Sequence, residues 1–529
     1  YMKYHKSIVK LISTENNIDW YSPYKTSDQD ESIGTGFFIS NNLILTCAHV
    51  IDRSIKILFT VPINGKEKYT ATLLGICYDK DLALLKTNDY NTEDYLSLGD
   101  SDSVKSGDTV ITIGYPLGQD KIKVTKGIIS GRQGKHLQTD APINPGNSGG
   151  PLVDIDNNII GINSQKMSAN VADNIGYSIP IYDFLIIKED MENTDKLIIK
   201  TPSLVCDFNN SDKNMLKYMN SNNNISGYYI KKIYDTSPLK NTSIREGNIL
   251  CSFNNYDIDN YGEIKVEWSE EKINLLDILN RFKIGDTVDI KFHNLNDTSI
   301  KNEKIHFRDI DYYKLKLIHY PFQKVDYDIF GGMVIMNLTL NHIMNLDGID
   351  INPINKLNLH TYIQKNKRMK ERLIITKILG GCYLQNINVL KNGDIIKYVN
   401  NIKVRNLTDF RKAIIKTLNN KNNKNIRYIS IKTKYNDTVI LNLDNVIKEE
   451  YFLSKNHKYK ISNLYSHFIN KNKNNNTDND NDNDNDNEND NDNDNENDNE
   501  NENENKNYIK NNINLFKINK KIRKYILSR

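Results

Sequence analysis

Along residues 1–185 the apolar positions come in short bursts: GTGFFIS, NNLILTCAHV, SIKILFTVPI, TATLLGI, LALLKT, DTVITIGYP, KVTKGIIS, NIIGINSQ and NIGYSIP. Each is rich in Ile, Val, Leu, Phe or Thr and is ended by Gly, Pro, Asn or Asp. Such bursts predict strands, and their number and regular spacing predict an all-β barrel or sandwich arrangement over residues 1–190.

Beyond residue 200 the pattern changes. In GYYIKKIYDTSPLKNTSIREGNILCSFNNYDI a strand is followed by a turn and a second strand; EEKINLLDILNRFKIGDTVDIKFHN then places apolar residues at helical spacing before another strand. A related order returns in RLIITKILGGCYLQNINVLKNGDIIKYVNNIKVRNLTDFRKAI. The parallel between IREGNILCSFNNYDI and VLKNGDIIKYVNNIKV predicts two copies of one small α+β module, residues 200–310 and 311–447, with 448–470 as a linker.

Composition alters the reading mainly at the end of the chain. Apolar residues make up 38% of the 529, low for a globular chain. Part of the deficit sits in an uninterrupted Asn/Asp/Glu tract, residues 471–507, which has no apolar side chain to offset the entropy of ordering and is expected to be disordered. From Lys471 to Glu504 the tract holds 14 acidic residues and 2 lysines, so the overall +3 conceals +15 on the rest of the chain. The final segment, 508–529, is basic. It is read either as a solvated or marginally helical tail, or as a segment that binds an acidic surface or folds back on the tract. The body has no Arg/Lys cluster interleaved with aromatics, so nucleic acid is not an expected partner.

Five cysteines (Cys47, Cys77, Cys206, Cys251, Cys382) are scattered without CxxC spacing, which argues against a disulfide framework and a zinc site and suits a reducing compartment. No apolar run reaches membrane-spanning length. The sequence starts at Tyr1, so a targeting segment is not excluded and the compartment is left open. No GxxxxGK[ST] motif suggests nucleotide use, and no cofactor or metal is expected.

The candidate chemistry centres on TDAPINPGNSGGPL, residues 139–152. Alone, Pro-Gly-Asn-Ser-Gly-Gly-Pro reads as an ordinary tight turn. It also suits a strained loop that exposes the Ser148 hydroxyl and turns the N–H groups of Gly146 and Ser148, with Asn147 between them, toward one point. A nucleophilic serine needs a base within hydrogen-bond reach and a carboxylate that orients it. His49 follows the strand-like run in LTCAHVI, and Asp81 precedes the run LALL, with Asp79 as the nearby rival. The order His, Asp, Ser in a β-rich segment is the chymotrypsin order rather than the subtilisin or α/β-hydrolase one.

TCAHV, DLALL, GNSGGPL and NIGYSIP, together with SIVKLIS, GTGFFIS, GYPLG and VTKGIISG, resemble the HtrA/Deg serine proteases, chymotrypsin-fold enzymes followed by PDZ domains. The two repeated modules resemble tandem PDZ domains, in a layout closest to the plant-type Deg subgroup with a divergent second copy. The resemblance covers about residues 5–447 and implies an ATP-independent endopeptidase that degrades unfolded or damaged polypeptides. By position it implies His49 as general base, Asp81 as its orienting partner and Ser148 as nucleophile, with an oxyanion hole at Gly146, Asn147 and Ser148. Ile143 matches a position of the primary specificity pocket and Ile162, Asn163, Ser164, Gln165 and Tyr177 its walls, although Ile143 also reads as barrel core. With no carboxylate there, cleavage after small aliphatic residues follows.

Three further expectations come from the same resemblance. Arg132, in a loop shorter than the family's, is the candidate for sensing PDZ or substrate occupancy. Gly227, Tyr228, Tyr229 and Ile230 are candidates for accepting a peptide by β-augmentation in the first PDZ module, or form a packing strand without ligand; the second module is expected to serve assembly. The family forms trimers or multiples of them, often through aromatic residues near the start, for which Trp20, Tyr21 and Tyr24 are available. Cys47 stands where a small or amide residue is more usual and is read as an inert buried thiol, with oxidation sensitivity as the alternative. The rival to an active protease is a PDZ-based scaffold or chaperone with a resting protease domain, and a weaker one is an adaptor tethered through the basic end.

Overall fold

The structure, a computed structural model, describes residues 4–25, 29–166, 175–218, 225–294, 299–346, 350–419 and 428–465. The Asn/Asp tract and the basic end, with the disorder expected of the former, lie outside the described residues.

The apolar bursts become two closed six-stranded barrels. The first comprises β1 (Ile8–Asn16), β2 (Gln29–Ser40), β3 (Leu43–Cys47), β4 (Ser54–Thr60), β5 (Tyr69–Cys77) and β6 (Leu82–Thr87), in the order 1-2-3-6-5-4. The second comprises β7 (Thr109–Gly114), β8 (Lys123–Gln133), β9 (His136–Thr139), β10 (Pro151–Val153), β11 (Ile159–Lys166) and β12 (Gly176–Pro180), in the order 10-11-12-9-8-7. β3 and β6 read as continuous apolar runs because both lie inside the first barrel's wall, Leu43 opposite Lys86 through Cys47 opposite Leu82. This pairing brings the end of β3 beside the start of β6. The helix Ile181–Glu192 closes the unit, laying Phe184, Ile187 and Met191 into the shared core against β5.

Two further sheets follow. In the first, Cys206–Asn209 pairs with Tyr228–Ile233, which pairs with Ile249–Phe253, then Thr287–Asn294 and Ser299–His306. The second runs from Tyr327–Phe330 to Thr438–Asn442 and packs the helix Leu407–Asn419 on one face. Its core also takes in the helix Leu443–His457 and the residues after it: Leu453, Tyr459, Leu464 and Tyr465 are all buried there. The linker expected from residue 448 is therefore, at least to 465, part of the second module, because its apolar side chains cover the open end of that core.

Of the aromatic residues near the start, Trp20 and Tyr21 are buried within the chain itself and Tyr24 is half-buried. In the β1–β2 connection Trp20 and Tyr21 are buried in a core shared with Leu338, Leu340 and Ile343 of the second module. Both rings meet His342 edge-on, and the Tyr21 hydroxyl donates to its carbonyl at 2.8 Å. Tyr24 packs edge-on to Tyr459. Aromatic area that the sequence leaves unassigned is spent on docking the protease unit to the second PDZ-like module.

Candidate active site

β3 runs into a single helical turn, Ala48–Ile51, that lifts His49 out of the barrel. Asp81 occupies the turn before β6 with φ +55, a left-handed conformation that costs a non-glycine residue energy and is tolerated where the surroundings hold it. Three hydrogen bonds hold it. The Asp81 carbonyl accepts from the Ala48 N–H (3.0 Å), Oδ1 accepts from the His49 N–H (3.0 Å), and the His49 Nδ1 lies 2.8 Å from Oδ2. The rival Asp79 accepts instead from the Thr201 hydroxyl and the Lys135 ammonium, through its carboxylate and carbonyl respectively.

Burial favours the neutral imidazole, but the Asp81 charge and its hydrogen bonds outweigh this and raise the His49 pKa above the ordinary histidine value. Burial likewise pushes the Asp81 carboxyl up, and the His49 interactions, with the Ser164 hydroxyl, bring it below the usual carboxylate range. The Ser164 Oγ donates to Asp81 Oδ2 at 2.7 Å. Ser164 was expected as a pocket wall; its contact with the carboxylate is a role the sequence did not reveal.

Ser148 comes from the second barrel, on a loop of two successive turns. The Asn147 N–H donates to the Asn144 carbonyl (2.9 Å) and the Gly150 N–H to the Asn147 carbonyl (3.0 Å). Each turn has glycine third, Gly146 at φ +94 and Gly149 at φ +82, the positive φ that a type II turn demands there, and Pro145 supplies the fixed φ of the second position in the first. A Cβ on Gly149 would fall 2.2 Å from the Thr35 carbonyl oxygen. The Ser148 carbonyl accepts from the Thr35 N–H, which fastens the loop to the first barrel. Among the described residues, the N–H groups of Gly146 and Ser148 have no protein acceptor, whereas that of Asn147 is used by its turn. Asn147 thus shapes the loop and donates nothing to its mouth. The Ser148 hydroxyl donates to the Ser164 carbonyl at 3.0 Å.

The remaining expected residues divide. Ile143 is buried against Gly176, where a Cβ would come within 2.7 Å of its Cδ1. Ile162 belongs to the main core, and the Asn163 amide bonds the Pro151 carbonyl and the Ser178 hydroxyl, so neither side chain is free to line a pocket. Gln165 lies on β11, opposite the half-buried Tyr177 on β12. Arg132 bonds the Ser101 carbonyl and lies 5.3 Å from the ring of Trp268 in the first module after the barrels. The same ring carries Arg281 at 3.7 Å, whose guanidinium is bidentate on Asp102 of the protease unit at 2.7 Å. Next to Asp81 in the chain, the fully buried Lys80 donates to the Asn280 carbonyl of that module and lies 3.6 Å from Asp183.

Of the two readings of Gly227, Tyr228, Tyr229 and Ile230, a peptide-accepting strand or a packing strand, the sheet pairing fits the second. Tyr228–Ile233 is hydrogen-bonded on both sides and cannot take another strand. Gly227 lies against the Leu250 carbonyl. The edge on that side of the sheet is Cys206–Asn209.

Comparison with known proteins agrees with this architecture. Residues 34–162 match the trypsin-like peptidase domain model and residues 319–467 the PDZ domain model. The chain is 31% identical over 311 residues to the serine protease Do-like HtrA of Bacillus subtilis, covering 54% of this chain and 66% of that protein. It is 26% identical over 387 residues to the putative protease Do-like 13 of Arabidopsis thaliana, covering 69% and 76% respectively. Against the serine protease Do-like HtrB of B. subtilis the aligned region is 33% identical and spans about half of that relative, 52%, and 42% of this chain. Among solved structures, an HtrA-type protease AlgW with tripeptide matches 58% of this chain and 94% of its own at 23% identity and a TM-score of 0.46. The fold and site define a trypsin-like peptidase domain joined to a PDZ domain. The chain belongs to the HtrA/Deg family of serine proteases.

Proposed function

We propose that the chain is an ATP-independent serine endopeptidase of unfolded or damaged polypeptides, with His49, Asp81 and Ser148 as its triad. The observation that carries this reading is the His49 Nδ1–Asp81 Oδ2 bond of 2.8 Å, joined through Ser164 to a serine loop whose Gly146 and Ser148 N–H groups are without protein acceptors among the described residues. For attack, the Ser148 hydroxyl turns from the Ser164 carbonyl to His49 Nε2. His49 takes the proton as Oγ bonds to the scissile carbon, and the Gly146 and Ser148 N–H groups meet the oxyanion. Collapse expels the amine with the proton from His49, and water repeats the sequence to release the acyl group. Asp81 keeps the Nδ1–H tautomer and stabilises the imidazolium.

With Ile143 proposed as the floor of the primary pocket, cleavage is expected after small aliphatic residues. The first PDZ-like module is proposed to take extended peptides at the Cys206–Asn209 edge, with homo-oligomers built from trimers. Among the described residues no helix is long and apolar enough to cross a membrane. The hydrogen bond from Ser148 to Ser164 favours a second reading, a PDZ-based scaffold or chaperone whose protease domain rests until activated.

The test is degradation of unfolded casein without ATP by the full chain and by Ser148→Ala, with cut sites read by mass spectrometry. Cleavage that the substitution abolishes, after Val, Ala or Ile, is expected. Equal cleavage by both would refute Ser148, and cuts after Arg would refute the pocket.

A further inference from the structure

The triad's carboxylate and imidazole have a third neighbour. Cys47, the last residue of β3, directs its side chain toward Asp81. Its Sγ, a His49 ring nitrogen and an Asp81 carboxylate oxygen all lie within 4.8 Å of one another, the one such group of three His, Cys, Asp or Glu side chains among the described residues. The proteolytic steps make no use of this thiol, which is buried and donates to the Asn163 carbonyl at 3.3 Å. The sequence spacing that argues against a zinc site misses the cluster because Asp81 joins it from another strand.

Thiolate sulfur, imidazole nitrogen and carboxylate oxygen are the donor types zinc prefers. Its bonds of about 2.0–2.3 Å set tetrahedral ligand atoms about 3.3–3.8 Å apart. Two of the three are already 2.8 Å apart, and the sulfur has to close at most about 1 Å. The imidazole is 45% exposed, which gives a cation a way in and leaves room for water as fourth ligand.

We propose that Cys47, His49 and Asp81 form an inhibitory site for a soft divalent cation of the zinc type. On binding, the Cys47 thiol releases its proton to solvent and the sulfur becomes a thiolate ligand. The cation takes the Nδ1 lone pair, so the imidazole proton moves to Nε2. That nitrogen then donates instead of accepting, and His49 cannot take the Ser148 proton. One proton leaves per cation bound, so affinity rises with pH by up to about tenfold per unit while the thiol remains the proton source. Magnesium, which demands octahedral oxygen ligation, is excluded by the donor set.

The inhibition rests on the protease reading; the site does not. The test titrates cobalt(II), a spectroscopic stand-in for zinc, into the full chain and into its Ser148→Ala variant. A thiolate-to-cobalt charge-transfer band, displaced by zinc, is expected in both and absent in Cys47→Ala and Cys47→Ser. Carboxylates of the Asn/Asp tract give no sulfur band. In parallel, casein hydrolysis is measured against zinc chloride, each variant relative to its own zinc-free rate. The half-inhibitory concentration is expected to rise about tenfold or more in Cys47→Ala, with chelator restoring the rate and magnesium without effect. No band, a band that survives both substitutions in folded protein, or equal inhibition would overturn the proposal. A Cys47-dependent band in a chain that never cleaves casein would uphold the site and remove the protease reading instead.

Discussion

Asp81 grips His49 at two atoms: one carboxylate oxygen lies 2.8 Å from Nδ1 and the other accepts the backbone N–H of the same residue at 3.0 Å. The side chain that sets the imidazole's tautomer therefore also fixes the helical turn that carries it. Asp81→Asn should keep the fold but present the wrong tautomer, lowering kcat by about 10⁴ in steady-state assays.

The same pair sets the pH profile. In the proposed mechanism only neutral His49 accepts the Ser148 proton, so kcat/KM should rise with pH through the His49 pKa, which lies above the ordinary value of about 6.5. In Asp81→Asn the two Asp81 interactions that raise it are gone and only the Asp52 charge still opposes burial, so the residual activity should titrate at lower pH. A rate that is flat from about pH 5 to 8 would contradict the role of His49.

Ser164→Ala removes one donor from Asp81 Oδ2 and leaves the Ser164 carbonyl in place. A loss of about 1 kcal/mol, about fivefold in kcat/KM with the main effect on kcat, is expected from kinetics at constant pH.

Gly149→Ala tests the loop. The new Cβ meets the Thr35 carbonyl oxygen at 2.2 Å, in a backbone conformation that is itself unfavourable for alanine. Calorimetry should show a lower unfolding temperature, and activity should fall by more than in Ser164→Ala because Ser148 and both free N–H groups shift together.

Trp20→Ala should loosen the second module. Truncating a buried Trp costs about 3–5 kcal/mol when its core cannot collapse. Hydrogen exchange should increase around His342, which the Trp20 and Tyr21 rings clamp, while sedimentation should show an unchanged oligomer. Dissociation of the oligomer with unchanged exchange would return the aromatics to the subunit interface.

Much of the active site was legible because its demands are local. Pro145, Gly146 and Gly149 stand where two type II turns need a fixed and then a positive φ, and Asp81 and His49 adjoin apolar runs that had to be barrel strands. Local geometry is written in residue types. The place of Tyr228–Ile233 in its sheet was not legible, since GYYIKKI reads the same as an edge or an interior strand and only pairing on both sides decides.

Taken alone, then, the sequence determined a β-rich first unit, barrel or sandwich, with strand-rich modules after it, the order His49, Asp81, Ser148 and the turn chemistry of the serine loop, and the resemblance made the first unit two barrels. The tertiary structure decided what depends on segments far apart in the chain. It turned the Ser164 hydroxyl to Asp81, set Lys80 under the Asn280 carbonyl, closed the second module with residues 443–465 and spent Trp20 and Tyr21 on it. It also brought the Cys47 thiol to the triad. Propensity and periodicity act over a few residues and carry the first set. The second follows from register and surface complementarity, which exist only once the strands have paired and the domains have docked.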